Sequence, residues 1–410
     1  MRLYFILRAL KTALVPPNLG WGSSPQVEVS HKMKTSFGAC SAVVGFALLS
    51  PHANAQTSDT ETEQLGFNFY GQLNRGILWY DDGADDDVYP FVDNSKSVSR
   101  LGLTYDQSLD NGWHFQARGE IGLNWKETNN INQLDPNDSH YDFWDEGIRK
   151  LEVSWAHPEY GTFLVGQGAM ASDGITGQDL SLTTVVAGTA VKDMAGGLLL
   201  RRADTGQLSN VRILDRFPTL GSSRRLRLRY DSPVSQNWSF AMAVGKEVLN
   251  SNDGRYYADA AARYDATKGD YRVKFGAAVQ WAGGNPETTF RNDDVTLAVS
   301  GSVLHRPSRY SLSGTLGLRP ESGGYIYAKF GRRYYDLFSA GWTAFSIDHY
   351  YAREVVGRGD VSHSTGFAVV QQLKQQNSHL YLAVRTYDAK DELASYLRSW
   401  AVLTGIRWEF

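Results

Sequence analysis

Trp113-His114-Phe115-Gln116-Ala117-Arg118-Gly119-Glu120-Ile121-Gly122-Leu123-Asn124-Trp125-Lys126 alternates without a break. Trp113, Phe115, Ala117, Gly119, Ile121, Leu123 and Trp125 fall on one face, and His114, Gln116, Arg118, Glu120, Gly122, Asn124 and Lys126 on the other. A period of two is the signature of a β-strand. A sandwich strand of a soluble protein is usually shorter and buries its apolar face in a core. Here aromatic residues mark both ends of the apolar face and charges sit midway along the polar one. That fits a strand with lipid on one side and water on the other.

The pattern recurs in Tyr271, Val273, Phe275, Ala277, Val279 and Trp281, opposed by Arg272, Lys274 and Gln280. It returns at the end of the chain, where Trp400, Val402, Thr404, Ile406, Trp408 and Phe410 alternate with Ser399, Ala401, Leu403, Gly405, Arg407 and Glu409. Segments of this kind are expected near 66–80, 97–108, 113–126, 147–157, 162–168, 224–231, 238–248, 255–265, 271–281, 294–304, 310–319, 324–332, 338–347, 363–373, 378–388 and 398–410. The resulting sixteen strands are an even number, as a bacterial barrel with both ends on one side of the membrane requires. Short connections such as 110–112, 158–161, 232–237, 266–270 and 305–309 alternate with long ones at 81–96, 127–146, 169–223, 282–293 and 348–362. Hydrocarbon offers backbone groups no hydrogen-bond partner, so strands in a bilayer must close their ladder on themselves. The expected fold is therefore an all-β transmembrane antiparallel barrel, too wide at about sixteen strands for side chains to fill.

Composition agrees. The chain has 41 Lys and Arg against 44 Asp and Glu, a net of −3, and no uninterrupted apolar run long enough for a spanning helix. Residues 33–55 read as a secretory signal peptide: Met33-Lys34 as a basic start, a small and mainly apolar stretch from Phe37 to Leu49, then Pro51 and Ala53-Asn54-Ala55, with cleavage expected after Ala55. Residues 1–32 fit no targeting class and are expected to be a mis-called extension, leaving 56–410 as the barrel. The single cysteine, Cys40, leaves with the leader, so no disulfide is expected. Removing Arg2, Arg8, Lys11, Lys32, Lys34 and Glu28 takes the net charge from −3 to −7, which argues against a nucleic-acid partner.

Several motifs resemble the Gram-negative general porins. Phe69-Tyr70-Gly71-Gln72-Leu73 is similar to the family's first strand and Ser99-Arg100-Leu101-Gly102-Leu103 to its second. His157-Pro158-Glu159-Tyr160-Gly161-Thr162-Phe163, Arg229-Tyr230-Asp231-Ser232-Pro233 and the terminal Phe410 resemble later landmarks. The resemblance implies a sixteen-stranded, commonly trimeric passive channel for small hydrophilic solutes and ions. Its setting would be outer-membrane lipid, its third loop would fold into the lumen, and the barrel-assembly machinery would recognise Phe410. One departure is Gly166-Gln167-Gly168, where the family commonly has Gly-Arg; another is the length of 169–223.

In such a channel the chemistry is pore radius and charge placement. With Leu226, Leu228 and Tyr230 facing lipid, Arg225, Arg227 and Arg229 turn inward, since each would cost about 2–4 kcal/mol near the midplane of the bilayer. Arg100 and Arg118 join them by parity as an expected basic wall; the same ladder also suits salt bridges that pin the long loop. Facing it, Asp173, Asp179 and Asp193 of the third loop and Glu120 are the candidate acids, and the apolar run Leu180–Val191 is expected to pack on the barrel wall. Weak selectivity, leaning to anions if the arginines are unpaired, follows. Trp79, Trp113, Trp125, Trp155, Trp281 and Trp408 suit interfacial girdles. The acidic first loop, Asp81, Asp82, Asp85, Asp86 and Asp87, matches no calcium-loop spacing, and no metal or cofactor is expected. Two rivals are a sugar- or carboxylate-selective channel and an outer-membrane hydrolase. The latter lacks Gly-x-Ser-x-Gly, and no enzymatic activity is expected.

Overall fold

The computed structural model describes residues 66–141, 147–221, 223–250, 252–285 and 292–410; the expected leader and extension lie outside them. Alternation becomes strand along β1 (Gly66–Asp81), β2 (Asp86–Asp93), β3 (Arg100–Ser108), β4 (His114–Gly122), β5 (Ile148–His157) and β6 (Gly161–Ala169). A small hairpin, β7 (Leu199–Arg201) and β8 (Leu208–Arg212), lies within the third loop. The wall continues through β9 (Arg224–Asp231), β10 (Trp238–Lys246), β11 (Tyr256–Lys268), β12 (Tyr271–Ala282), β13 (Asp294–His305) and β14 (Tyr310–Leu318). It ends with β15 (Gly324–Phe338), β16 (Gly341–Arg353), β17 (Val361–Leu373), β18 (Ser378–Lys390) and β19 (Ser399–Glu409). Each strand pairs antiparallel with its neighbours, and β1 closes the ring against β19 from Gln72↔Glu409 to Asp81↔Trp400. Gly71 N and Phe410 O complete the seam at 2.9 Å.

The barrel has sixteen strands, because β2 and β3 together form the second. Both pair with β1, β3 along Gly66–Gln72 and β2 along Arg75–Asp81. Residues 81–96 were expected as a loop, yet most of them lie in β1 and β2, with only Asp82–Asp85 turning the hairpin. Between β2 and β3 the chain dips inward, held by Gln72 Nε2 donating to Ser97 O and Val98 O at 2.8 Å each. The hole left in the ladder is closed by a strap from the β4–β5 loop. Asp93 N donates to Lys126 O, Thr128 N to Asp93 O and Leu123 N to Ser99 O.

Exposure follows parity. On β13, Val295, Leu297, Val299 and Val303 are exposed while Thr296, Ala298, Ser300 and Ser302 are buried. Apolar surface of this extent facing outward on every strand needs lipid against it. No helix among the described residues is long and apolar enough to cross a membrane. Ring pairs gather at the short-turn end, among them Trp113–Tyr160, Phe163–Tyr230 and Trp238–Tyr264. At the loop end Trp79 and Trp281 donate their indole N–H to Asp86 and Asp293. The buried apolar mass lies inside the barrel, where Tyr80, Tyr325, Tyr327, Tyr350 and Tyr387 meet Val185, Val186, Val191, Leu198 and Phe217 of the third loop.

Candidate functional site

The third loop, 170–223, is laid across the inner wall by hydrogen bonds to strands far away in sequence. At its start the Asp259 carboxylate on β11 accepts from the backbone N–H of Ala171 and Ser172 at 3.1 and 2.8 Å. Arg263 donates to Ala171 O at 2.6 Å. The loop then meets β13, where Leu180 N donates to Ser302 Oγ, and β16, where Thr183 and Ser346 share a hydroxyl bond. Small hydroxyl side chains at inward positions leave room for it. Lys329 on β15 reaches Asp179 at 2.7 Å and Ala187 O at 3.0 Å, fully enclosed. Tyr387 holds Val191 O and Tyr350 holds Pro218 O on the way back.

Between this loop and the wall around β3 and β5 remains a cavity of about 700 Å³. Five cations line it: Lys96 from the inward dip, Arg100 on β3, Arg149 on β5, Lys192 on the loop and Arg224 at the head of β9. Three carboxylates share it, Glu127, Asp173 and Asp193, and Lys96 and Asp193 stand 3.6 Å apart. Glu120 sits behind the wall, buried, accepting from Arg149 at 2.7 Å and from the Tyr70 hydroxyl at 2.8 Å, with Arg100 at 4.0 Å. Arg224 and Lys192 form no ion pair among the described residues.

The expected residues divide between the cavity and its surroundings. Arg100, Asp173 and Asp193 line the cavity; Arg118, Arg225, Arg227, Arg229, Asp179 and Glu120 are not among its lining residues. The three arginines of β9 do share one inward face, but each is engaged. Arg227 reaches Glu152 at 2.5 Å and Ala169 O at 3.0 Å, Arg229 holds Asp231 and Met170 O, and Arg225 pairs with Glu247 beneath the Tyr257 ring. They fasten the root of the loop. The Arg227–Glu152 pair crosses over β6 where Gly166 and Gly168 lie; a Cβ on Gly168 would fall 2.2 Å from Glu152 Oε2. Arg118 bonds Gln116 at 2.8 Å and stands 4.0 Å from Glu152.

Lys96, Arg149 and Arg224 escape a parity count for separate reasons. Lys96 lies in the inward dip. Arg149 is the extra residue of a bulge, since Glu120 pairs with Lys150 and Ile121 with Ile148. Two successive cations, Arg149-Lys150, interrupt the alternation there and were the available signal. Arg224 sits where β9 leaves the ladder, and parity there no longer governs direction.

Above the cavity, the loop's return arm is fastened to the last two outer loops. Arg216 pairs with Asp391 and lies 3.9 Å from Asp360. Burial pushes the Asp360 carboxyl up to about 6 against the pull of Arg216. In the first loop, burial works against ionised Asp82, but Arg201, at 2.8 Å, holds it below its ordinary range.

Ser139, His140 and Asp135 meet in the β4–β5 loop, but the serine hydroxyl donates to Asp135 at 2.9 Å, with His140 Nδ1 farther off at 3.3 Å, and the histidine side chain is 92% exposed. A nucleophile needs its base as the acceptor of its proton. No cluster of metal-ligating residues occurs among the described residues.

A family model described as "Gram-negative porin" matches residues 39–392. No curated protein matches. Among solved structures, the anion-selective porin of Comamonas acidovorans is 15% identical with a TM-score of 0.56, covering 84% of this chain and 99% of that one. OmpT of Vibrio cholerae in trimer form is 14% identical at 0.51, covering 84% and 99%. The outer membrane channel DcaP of Acinetobacter baumannii is 11% identical at 0.51, covering 84% and 97%. At these identities the likeness is one of fold.

Proposed function

Since the chain belongs to the Gram-negative porin family and is a passive diffusion channel of the outer membrane, we propose that its cavity is the constriction and that it favours small anions. The observation that carries this is the charge of the lining: Lys96, Arg100, Arg149, Lys192 and Arg224 outnumber Glu127, Asp173 and Asp193. Arg225, Arg227 and Arg229 are anchors of the third loop and contribute little to selectivity, because each faces a carboxylate at close range. Bias of this kind is weak. A unit charge about 8 Å from an ion in water is worth about 0.5 kcal/mol, so cations are disfavoured and not excluded.

The chemistry is transport without bond making, which suits a lining of fixed charges. The working unit is a homotrimer, in keeping with the trimer form of the Vibrio cholerae relative. Phe410, whose ring stacks at 6.1 Å on Phe69 and lies tilted at 4.8 Å from Trp408, is the end that the barrel-assembly machinery reads. The reversal potential of purified protein in a planar bilayer under a potassium chloride gradient tests the proposal. It should have the sign of chloride permeation; the sign of potassium permeation would reject it.

A further inference from the structure

The outer wall carries a groove that permeation does not use. On β11, Tyr257, Asp259, Ala261 and Arg263 take inward positions, which leaves Ala258, Ala260 and Ala262 facing lipid. Their register partners on β10, Val244, Met242 and Phe240, stand taller, as do Trp281 and Val279 on β12 beside Ala258 and Ala260, while Ala262 faces Ala277 there. Met242 and Val244 are 60% and 57% exposed, so the ridge is real surface. An apolar hollow of about 500 Å³ lies over Ala258 and Ala260 and reaches across β10 to Leu228 and Tyr230 on β9 and Phe163 on β6. The row of small residues from Ala258 to Ala262 is about 13 Å long at ~3.3 Å per residue, close to the ~15 Å half-thickness of the hydrocarbon core.

Both ends of the trough are marked. At the short-turn end Trp238, Tyr264 and Phe275 close it, with Trp238 5.0 Å from Tyr264 and 6.2 Å from Phe275. At the loop end the next lipid-facing pair is Lys246↔Tyr256, the ammonium lying 4.8 Å over the ring. Among the described residues Lys246 forms no ion pair; its neighbour Glu247 is taken by Arg225. A cation with no carboxylate partner among the described residues, heading an apolar row about one leaflet deep, is complementary to a lipid with a negative headgroup.

We propose that this groove seats one acyl chain of an anionic lipid, with the lipid's phosphate meeting Lys246. The apolar trough accepts a chain of any lipid, and the lysine supplies the preference, about fivefold for a single surface cation. Protein in detergent, incubated with dimyristoylphosphatidylglycerol or dimyristoylphosphatidylcholine and read by native mass spectrometry, tests it, because the two lipids share chains and differ in headgroup. The wild-type protein should retain the glycerol lipid about fivefold better. Lys246→Gln should equalise the two, and Ala260→Phe, which fills the trough, should lower retention of both. Heat-modifiable gel mobility and conductance, read in parallel, report the fold. Undiminished retention in Ala260→Phe, or a preserved headgroup preference in Lys246→Gln, overturns the assignment. So does loss of the oligomer in Ala260→Phe, which would make the groove a contact between copies of the chain. If Ala260→Phe does not fold, Lys246→Gln at the strand end still decides it.

Discussion

Among the described residues Arg224 and Lys192 are the lining cations without an ion pair, so their joint replacement by glutamine isolates the charge contribution. For an ion passing about 8 Å from each, the contribution is about 0.5 kcal/mol per charge in unscreened water. At about 0.15 M salt the Debye length is about 8 Å, which cuts that to about 0.2 kcal/mol. The sign is opposite for anion and cation, so each charge moves their permeability ratio by about 0.4 kcal/mol. The double variant should therefore lose about fourfold in chloride over potassium at that salt. At about 0.01 M, where the Debye length is about 30 Å, the loss should reach about 15-fold. Reversal potentials in asymmetric potassium chloride at both salts measure it. A ratio unchanged at low salt would refute the assignment of this cavity as the constriction.

Arg227→Ala leaves Glu152, nearly enclosed, with only Arg118 at 4.0 Å, and should cost up to about 3 kcal/mol, read as an earlier heat-induced shift in gel mobility; an unmoved transition would show the pair to be incidental. Lys329→Met should loosen the third loop by a similar amount, and adding Asp179→Leu should restore most of it, since a lone buried charge costs more than none; hydrogen exchange of 179–191 reports the result, and an unrestored double variant contradicts it. Asp360 titrates near 6 when folded and near 4 when unfolded, so its charged form is penalised in the folded loop. Its contribution to stability is present below about pH 4 and lost as pH rises to about 6, worth about 3 kcal/mol in all. Exchange protection over 212–221 should therefore rise as pH is lowered from 6.5 to about 4.5, after correction for intrinsic rates, and Asp360→Asn should remove the dependence; equal slopes in both proteins would rule it out.

Lipid imposes a rule on every second residue of a spanning strand, and that rule is visible locally. Hence the strands from 224 to 282 fall where the alternation places them, within a few residues. The rule lapses where both faces are wet. Asp81, Asp82, Asp85, Asp86 and Asp87 crowd the approach to β2 and Pro90 interrupts its short apolar run, which conceals the strand; Arg333 to Phe338 extend β15 past the expected end at 332 with polar residues on both faces. The site was less legible because it is made by pairings between distant segments. Parity correctly turns Arg225, Arg227 and Arg229 inward, but nothing local shows Glu247, Glu152 and Met170 O waiting for them. The path of the third loop depends on partners such as Ser302 for Leu180, 122 residues apart. A bulge at Arg149 and an inward dip at Lys96 bring in cations that counting by twos assigns elsewhere.

Single-channel recording with the purified protein, with conductance followed against salt concentration and against added sugars and small carboxylates, bears most directly on a passive, water-filled pore. Conductance should rise in proportion to bulk conductivity, and neutral solutes small enough to enter should lower it only as they lower conductivity in bulk. Saturable block by one solute at low concentration, or no conductance at all from correctly folded protein, would contradict it.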